Sequence, residues 1–515
     1  MNVGLAFARN RLRNPNGLAA WWGERELTHT ELDIRTTKLA NLLRDRYGVA
    51  KGESVAIFAP NRLEVLEVLG GCAKSGAIYI GLNFRMSESD LRGFFTLVQP
   101  KVIIAAGEFR ELSEVLAKEF DAVVLDLDDD GPDGYEAMLQ QGSEVTPPLL
   151  HEILYTDDFA VVPTSGTTGI PKGVHFDHGA SLSHGAISQI EFEINNRSRY
   201  LVHIPHNSSV NTWLVPALMC GAAIGFLDGR RFEPERFVQE TERRQVTHTF
   251  LVPTQLMRVL AEPPDPARLA SLETIGYGSS PISPDRLGQL IELFGPKFIQ
   301  LYGMAEVASI ATLLRKQDHV DALNEHPELL ASCGSPSQVL DVRLVDDDMN
   351  DLGVGERGEV IFRGPYIMKG YYNDPARTAE TIIDGWVHSG DIAEVDERGY
   401  YYIVDRKKNL IIRGGLNIVP TEIENVIYRH EGVLEVAVIG TPDPEWGEAV
   451  TAVVAPKPGV EITEAEILEL CANSELSSIK RPERVDFVES LPKNAVGKIE
   501  KRTIRDTYWE GKRKI

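Results

Sequence analysis

Thr164-Ser165-Gly166-Thr167-Thr168-Gly169-Ile170-Pro171-Lys172-Gly173 follows the apolar run Phe159-Ala160-Val161-Val162, and the reading of this junction sets the fold class. Four apolar residues ahead of a glycine-rich stretch read as a buried strand with a loop leaving it. In that loop the glycines let main-chain N–H groups approach a polyanion, the hydroxyls add donors, and Lys172 adds a point charge. Such a loop is suited to gripping phosphate. It departs from the pattern Gly-x4-Gly-Lys-Ser/Thr, because Pro171 stands where the second glycine belongs and Gly173 follows the lysine. A polar surface turn is the competing reading.

Outward from the loop, short apolar runs alternate with helical segments through about the first 330 residues. Val55–Phe58, Val102–Ile104, Val123–Leu125, Phe250–Val252 and Phe298–Leu301 read as buried parallel strands. Thr28-His29-Thr30-Glu31 reads as a capping box opening a helix that carries Leu32, Leu39, Leu42 and Leu43. Strand–helix alternation predicts an α/β fold of doubly wound sheets. From about 335 to 404 closely spaced strands such as Glu359–Phe362 and Tyr400–Val404 predict a small β-barrel-like subdomain. Gly353-Val354-Gly355-Glu356-Arg357-Gly358 matches a dinucleotide fingerprint by spacing only; a strand follows where that motif needs a helix, so a tight turn is expected. Beyond residue 404 a small α+β unit begins, with Thr421-Glu422-Ile423-Glu424 read as a capped helix start.

A chain of 515 residues exceeds one hydrophobic core, so two or more domains are expected. With 43% apolar and 25% charged residues the composition is that of a soluble protein. The net charge of −23 argues against a nucleic-acid binder, which needs clustered Lys and Arg, although one local site can still be positive. Cys72, Cys220, Cys333 and Cys471 are too scattered for a disulfide framework or zinc site. No window is apolar enough to span a bilayer, and neither terminus reads as a targeting signal, so a cytoplasmic protein is expected. A homodimer is the default assembly.

Ser-Gly-Thr-Thr-Gly-x-Pro-Lys-Gly resembles the signature of the adenylate-forming superfamily, which holds acyl-CoA synthetases, peptide-synthetase adenylation domains and luciferases. The resemblance continues in register through Tyr302-Gly303-Met304-Ala305-Glu306, Gly385-Trp386 with His388-Ser389-Gly390-Asp391, Asp405-Arg406-Lys407-Lys408, Gly414-Gly415-Leu416-Asn417-Ile418, and Leu491-Pro492-Lys493-Asn494-Ala495-Val496-Gly497-Lys498. It covers essentially the whole chain. It implies an N-terminal adenylation domain over 1–404 and a mobile C-terminal domain over 405–515, hinged at 405–408. ATP, Mg2+ and CoA are the implied cofactors, and a small carboxylic acid is the implied partner.

Joining a carboxylate to the α-phosphorus of ATP brings two anions together, so catalysis is mainly positioning and electrostatics. By the resemblance, Thr164, Ser165, Gly166, Thr167, Thr168, Gly169 and Lys172 hold the phosphates, with Lys172 assisting pyrophosphate departure. Gly278, Ser279 and Ser280 form a second nucleotide loop; Tyr302 packs on adenine beside Gly303, Met304 and Ala305. Most members carry Thr where this chain has Ala305, which removes one contact near the α-phosphate. Glu306 binds Mg2+, with Thr164 as a second ligand. Asp391 takes the ribose hydroxyls, supported by Arg406. His206 shapes and gates the acyl pocket, with Asn207, Ser208, Asn211, Tyr277 and Gly278 around it. Lys498 is the catalytic cation that bridges carboxylate and α-phosphate, and Lys408 is the hinge that swings it away and brings Gly414 and Gly415 to the CoA side.

The leading expectation is an acyl-CoA synthetase: acid and ATP give an acyl-adenylate and pyrophosphate, then CoA displaces AMP. Only 17 residues follow Lys498, which disfavours an attached carrier domain. A stand-alone amide-forming ligase, a luciferase-type oxygenase and a non-catalytic nucleotide-binding regulator remain alternatives. Small residues at 278–280 favour a medium-chain or aromatic acid over acetate.

Overall fold

Central strands in this protein are buried along their whole length because both faces of their sheets are covered. Ser54–Phe58, for example, has every residue buried. The computed structural model describes residues 1–164, 171–227, 230–280, 282–493 and 499–509. They form two units, one of residues 1–342, 361–388 and 399–401, the other of residues 343–360, 389–398 and 402–515.

Among the described residues the first unit holds two large sheets. The nine-stranded sheet runs Ser335–Pro336, Thr312–Leu314, Phe298–Tyr302, Thr274–Gly278, His248–Leu251, Arg199–Val202, Ala223–Phe226, Leu18–Trp22, Arg25–Thr28. Its central pairs are parallel, with Gly278 opposite Leu301 and Leu251 opposite Tyr277. The seven-stranded sheet runs Gly370–Tyr371, Lys172–Asp177, Asp158–Thr164, Ile78–Gly81, Ser54–Phe58, Val102–Ala105, Val123–Asp126. A first core draws Val55, Ile57 and Tyr79 from this sheet together with Tyr200, Ile224 and Ile299 from the other. A second core, with Leu201, Ile275, Tyr277 and Phe298, lies on the opposite face of the nine-stranded sheet. The strands expected near 55, 102, 123, 250 and 298 are present, and Thr28 and Glu31 form the expected capping box of the helix His29–Asp45.

The β-rich stretch is an open sheet. It runs Asp341–Val345, Gly358–Arg363, Trp386–Val395, Ile382–Ile383, with Tyr401–Arg406 also paired to Trp386–Val395. The expected barrel-like closure is absent because the last strand in that order is only two residues long and offers no ladder for a returning partner. Glycine-rich 353–358 is a turn leading straight into the strand Gly358–Arg363, as expected.

In the second unit a long antiparallel hairpin, Val433–Asp443 with Gly447–Pro456, carries Ile411–Arg413, Leu416–Ile418 and Arg484–Phe487 alongside. Ile411, Ile423, Ile427, Val438 and Val454 form its core. The helix expected at 421 is Pro420–Ile427, but Thr421 is not its cap. Val419 occupies that position, and the Thr421 hydroxyl and N–H both donate to Asp405 Oδ2, at 2.8 and 3.2 Å. No described helix is long and apolar enough to cross a membrane.

Candidate active site

The glycine-threonine stretch joins two antiparallel strands. Thr164 ends Asp158–Thr164 directly opposite Lys172, which begins Lys172–Asp177. Ser165, Gly166, Thr167, Thr168 and Gly169 lie outside the described residues. On the far side of Lys172–Asp177 the two-residue strand Gly370–Tyr371 adds antiparallel, with Tyr371 opposite Val174. Position 370 has φ +149° and a Cβ there would meet Thr378 Cγ2 at 2.6 Å, so only glycine fits.

This register aims Tyr371 at two charged groups. Lys172 Nζ donates to the Tyr371 hydroxyl at 3.2 Å and stands 4.6 Å from the ring centroid. The same hydroxyl donates to Glu306 Oε1 at 2.5 Å. Lys172 and Glu306, 134 positions apart, are thereby joined through one phenol. Burial lowers the Lys172 pKa, and the Glu306 charge opposes that shift. Burial, reinforced by Glu306, pushes the Tyr371 phenol upward, so it stays a proton donor. Tyr371 was not singled out from the sequence. The signal was there in Gly370-Tyr371-Tyr372-Asn373-Asp374-Pro375, an aromatic pair bracketed by turn residues.

Glu306 sits on the single 3-10 turn Ala305–Val307, just after the strand Phe298–Tyr302. The turn closes back on the strand through Ala311 N–H to the Tyr302 carbonyl at 2.8 Å. Ala308 and Ser309 adopt left-handed φ values of 50° and 74°, a sharp reversal that costs backbone strain. The neighbouring parallel strand ends at the same edge. A Cβ at Gly278 would lie 2.4 Å from the Leu301 carbonyl oxygen, so the two strand ends approach closely only because of that glycine. Ser279 follows with φ +72°, and Ser279 and Ser280 are exposed. Tyr302, Gly303, Met304 and Ala305 thus share one sheet edge with Gly278–Ser280, where open α/β sheets bind ligands.

His206 is completely buried on the turn His206–Ser208. Its Nδ1 accepts from the Tyr79 hydroxyl at 3.2 Å and its Nε2 donates to the Ala59 carbonyl at 3.1 Å. Burial lowers its pKa to about 4, so the ring is neutral at pH 7 and both nitrogens are engaged by the framework. Asn207 and Asn211 are buried on the same stretch, whereas Ser208 is exposed. Tyr277 points away, into the second core, where its hydroxyl meets Gln300 Oε1 at 3.1 Å and His319 Nε2 at 3.0 Å. Tyr277 is 1% exposed, and its ring and hydroxyl are taken up by that core rather than by the stretch around His206.

Within the second unit Asp391 and Arg406 form an ion pair, Nε to Oδ1 3.2 Å. The aspartate follows the turn at Ser389-Gly390, where Gly390 donates its N–H to Glu359 Oε1 at 3.0 Å. Lys407 pairs with Asp347 at 2.7 Å and Glu359 at 3.3 Å. The Lys408 carbonyl accepts from Arg505 at 3.2 Å. Gly414 and Gly415 form the turn of a small hairpin, and Gly414 packs under the Trp446 ring. Asp405, the first residue of the expected hinge stretch, accepts from Arg406 N–H, Asn409 and Thr421, a bond set that fixes the stretch around 405–409. Lys498 lies outside the described residues.

The profile of the AMP-binding enzyme family matches residues 7–372, and that of the AMP-binding enzyme C-terminal domain matches residues 422–498. A feruloyl-CoA synthase of Amycolatopsis sp is 35% identical over 507 residues, covering 97% of this chain and 98% of the relative. The medium/long-chain-fatty-acid–CoA ligase FadD8 of Mycobacterium tuberculosis is 33% identical, covering 97% and 89%. The crystal structure of ATP-bound MatB from Rhodopseudomonas palustris superposes with a TM-score of 0.85 at 28% identity, covering 99% of each chain.

Proposed function

Because the chain belongs to the AMP-binding enzyme family, we propose that its Lys172–Tyr371–Glu306 cluster is the phosphate end of an ATP site serving carboxylic acid activation. The chain is an AMP-forming acyl-CoA synthetase that uses ATP, an organic acid and CoA. The acid's class is the finer part of the reading. Relatives acting on feruloyl and on medium- or long-chain fatty acyl groups are consistent with an aromatic or medium-chain acid.

In the first half-reaction a carboxylate oxygen bonds to the α-phosphorus, and the bond from that phosphorus to the pyrophosphate oxygen breaks. Lys172 offers positive charge to the departing pyrophosphate, and Tyr371 holds that ammonium at a fixed distance from Glu306. A buried carboxylate oriented by a phenol is the hard oxygen donor that Mg2+ accepts. Glu306, with Thr164, would hold Mg2+, which when bound neutralises phosphate charge. Asp391, held by Arg406, takes the ribose hydroxyls; Gly278–Ser280 and Tyr302 take the base. Neutral His206, fully buried and bonded to Tyr79 and Ala59, supports the acyl pocket from behind and is not a base, since the substrate acid is already ionised at pH 7. Lys498 supplies charge between carboxylate and α-phosphate. In the second half-reaction the C-terminal domain, taken as 405–515 and turning about Lys408, withdraws Lys498 and presents Gly414 and Gly415 to CoA. The thiolate then bonds to the acyl carbon as the acyl–phosphate bond breaks and AMP leaves.

The observation that carries this reading is the junction of Lys172 and Glu306 through Tyr371 at the carboxyl edge of the sheets. Product mass tests it. Purified protein with ATP, Mg2+, CoA and a panel of aryl and alkyl acids should yield an acyl-CoA and AMP. ADP in place of AMP, or an amide formed only when an amine replaces CoA, would overturn it.

A further inference from the structure

Among the described residues the whole side-chain amide of Asn211 is buried without a partner, its Oδ1 and Nδ2 both unbonded and the residue 5% exposed. Asn207, one turn earlier, leaves its Oδ1 in the same condition. Native interiors pair such groups, because a dry amide costs free energy. The backbone around Asn211 is itself secured, since its own carbonyl meets His184 Nδ1 at 3.0 Å. The unspent part is the side chain alone.

Two further features place this amide near the turn that carries Glu306. Val210–Leu214 is a π-helical turn, with Leu214 N–H reaching back to the Ser209 carbonyl at 2.9 Å. Such turns are rare and recur at functional sites. Beside Asn211, Thr212 Oγ1 donates to the Ala308 carbonyl at 3.3 Å, two residues beyond Glu306. The π turn therefore abuts the reversal that carries Glu306.

We propose that Asn211 selects the acid by hydrogen bonding, so that the substrates are carboxylic acids bearing a hydroxyl, amide or ring N–H rather than plain hydrocarbon chains of equal size. An amide offers one acceptor and two donors, and a hydroxyl can satisfy both senses at once. A hydrocarbon chain in the same place leaves the amide dry. A pocket built to pair a polar group rejects the analogue lacking it far more strongly than it rejects a missing methylene. This inference rests on the acyl-CoA synthetase reading and on the acid lying against residues 206–214.

The test compares kcat/KM for pyrophosphate release with matched pairs, 4-hydroxycinnamate against cinnamate and an ω-hydroxyalkanoate against the alkanoate. Wild type, Asn211→Leu and Asn211→Ala are assayed together with their melting temperatures. Wild type should favour the polar member of at least one pair by about tenfold or more, and both variants should lose most of that ratio. Asn211→Leu should melt at or above wild type, because it removes an unpaired polar group without leaving a cavity. Equal use of both members by wild type overturns the proposal. So does a ratio that survives in the variants, or a lowered melting temperature with the ratio intact, which would make the amide a support of the fold. Absence of pyrophosphate release with any acid would instead remove the synthetase reading, and the selectivity claim with it.

Discussion

Replacing Tyr371 with phenylalanine should cripple adenylation while leaving the fold in place. The substitution keeps the ring 4.6 Å from Lys172 Nζ, and so retains the cation–π contact. It deletes the hydroxyl that donates to Glu306 at 2.5 Å and accepts from Lys172 at 3.2 Å. Hydrogen bonds to charged groups contribute about 1.5–3 kcal/mol each. Glu306 is only 7% exposed, so water does not fully replace the lost donor. With Lys172 no longer held at its set distance, the geometry at the departing pyrophosphate loosens. A loss of about 1.5–3 kcal/mol of transition-state stabilisation corresponds to roughly a 10- to 150-fold fall in kcat/KM. The assay is ATP-dependent pyrophosphate release at several ATP and Mg2+ concentrations, with circular dichroism as the fold control. Thioester formation from pre-made acyl-adenylate should change far less, because it does not involve pyrophosphate. A fall of less than twofold in folded protein, or equal loss in both half-reactions, would refute the bridging role.

Lys498→Ala should lose about 2.7–4 kcal/mol in adenylation, by analogy with removal of an oxyanion donor, while converting pre-made acyl-adenylate to thioester; equal loss in both steps would contradict a swinging lysine. Lys408→Pro should adenylate normally and fail in transfer, read by single-turnover quenching; intact transfer with lost adenylation would oppose the hinge. Burial lowers the pKa of His178, His184, His206, His248 and His319 to about 4, and that of His203 to about 3. Their depressed folded values mean that the unfolded chain binds more protons. Stability is full above the unfolded value near 6.5 and falls as pH drops toward 4, by up to about 1.4 kcal/mol per pH unit for each histidine. Melting temperature should decline across that window, and a flat profile would contradict the burial of these rings.

What the sequence made legible follows local periodicity. Val55–Phe58 and Val102–Ile104 are apolar at every position, and such runs have few structures open to them besides buried strands. The Thr28–Glu31 cap was legible because its bonds close within four residues. Thr421 shows the limit of the same rule. Its hydroxyl is claimed by Asp405, sixteen positions away, and no local pattern reports a competing long-range acceptor. An open sheet and a barrel-like one share the same strand spacing, because spacing gives strand count, whereas closure depends on which edges meet. In the site, Lys172 and Glu306 could be named singly from the motifs that hold them. Their connection through Tyr371 depends on a two-residue strand, Gly370–Tyr371, too short to show any period. His206 could be named from its motif, yet its complete engagement by Tyr79 and Ala59 is a tertiary fact that spacing does not disclose.

Acid-dependent exchange of labelled pyrophosphate into ATP tests the account most directly, because it reports mixed-anhydride formation without reference to CoA. The account predicts exchange that requires both an organic acid and Mg2+, with aryl or medium-chain acids exceeding acetate, and that falls with Tyr371→Phe. Folded protein that shows no exchange with any acid, or exchange of equal rate when the acid is omitted, would contradict it.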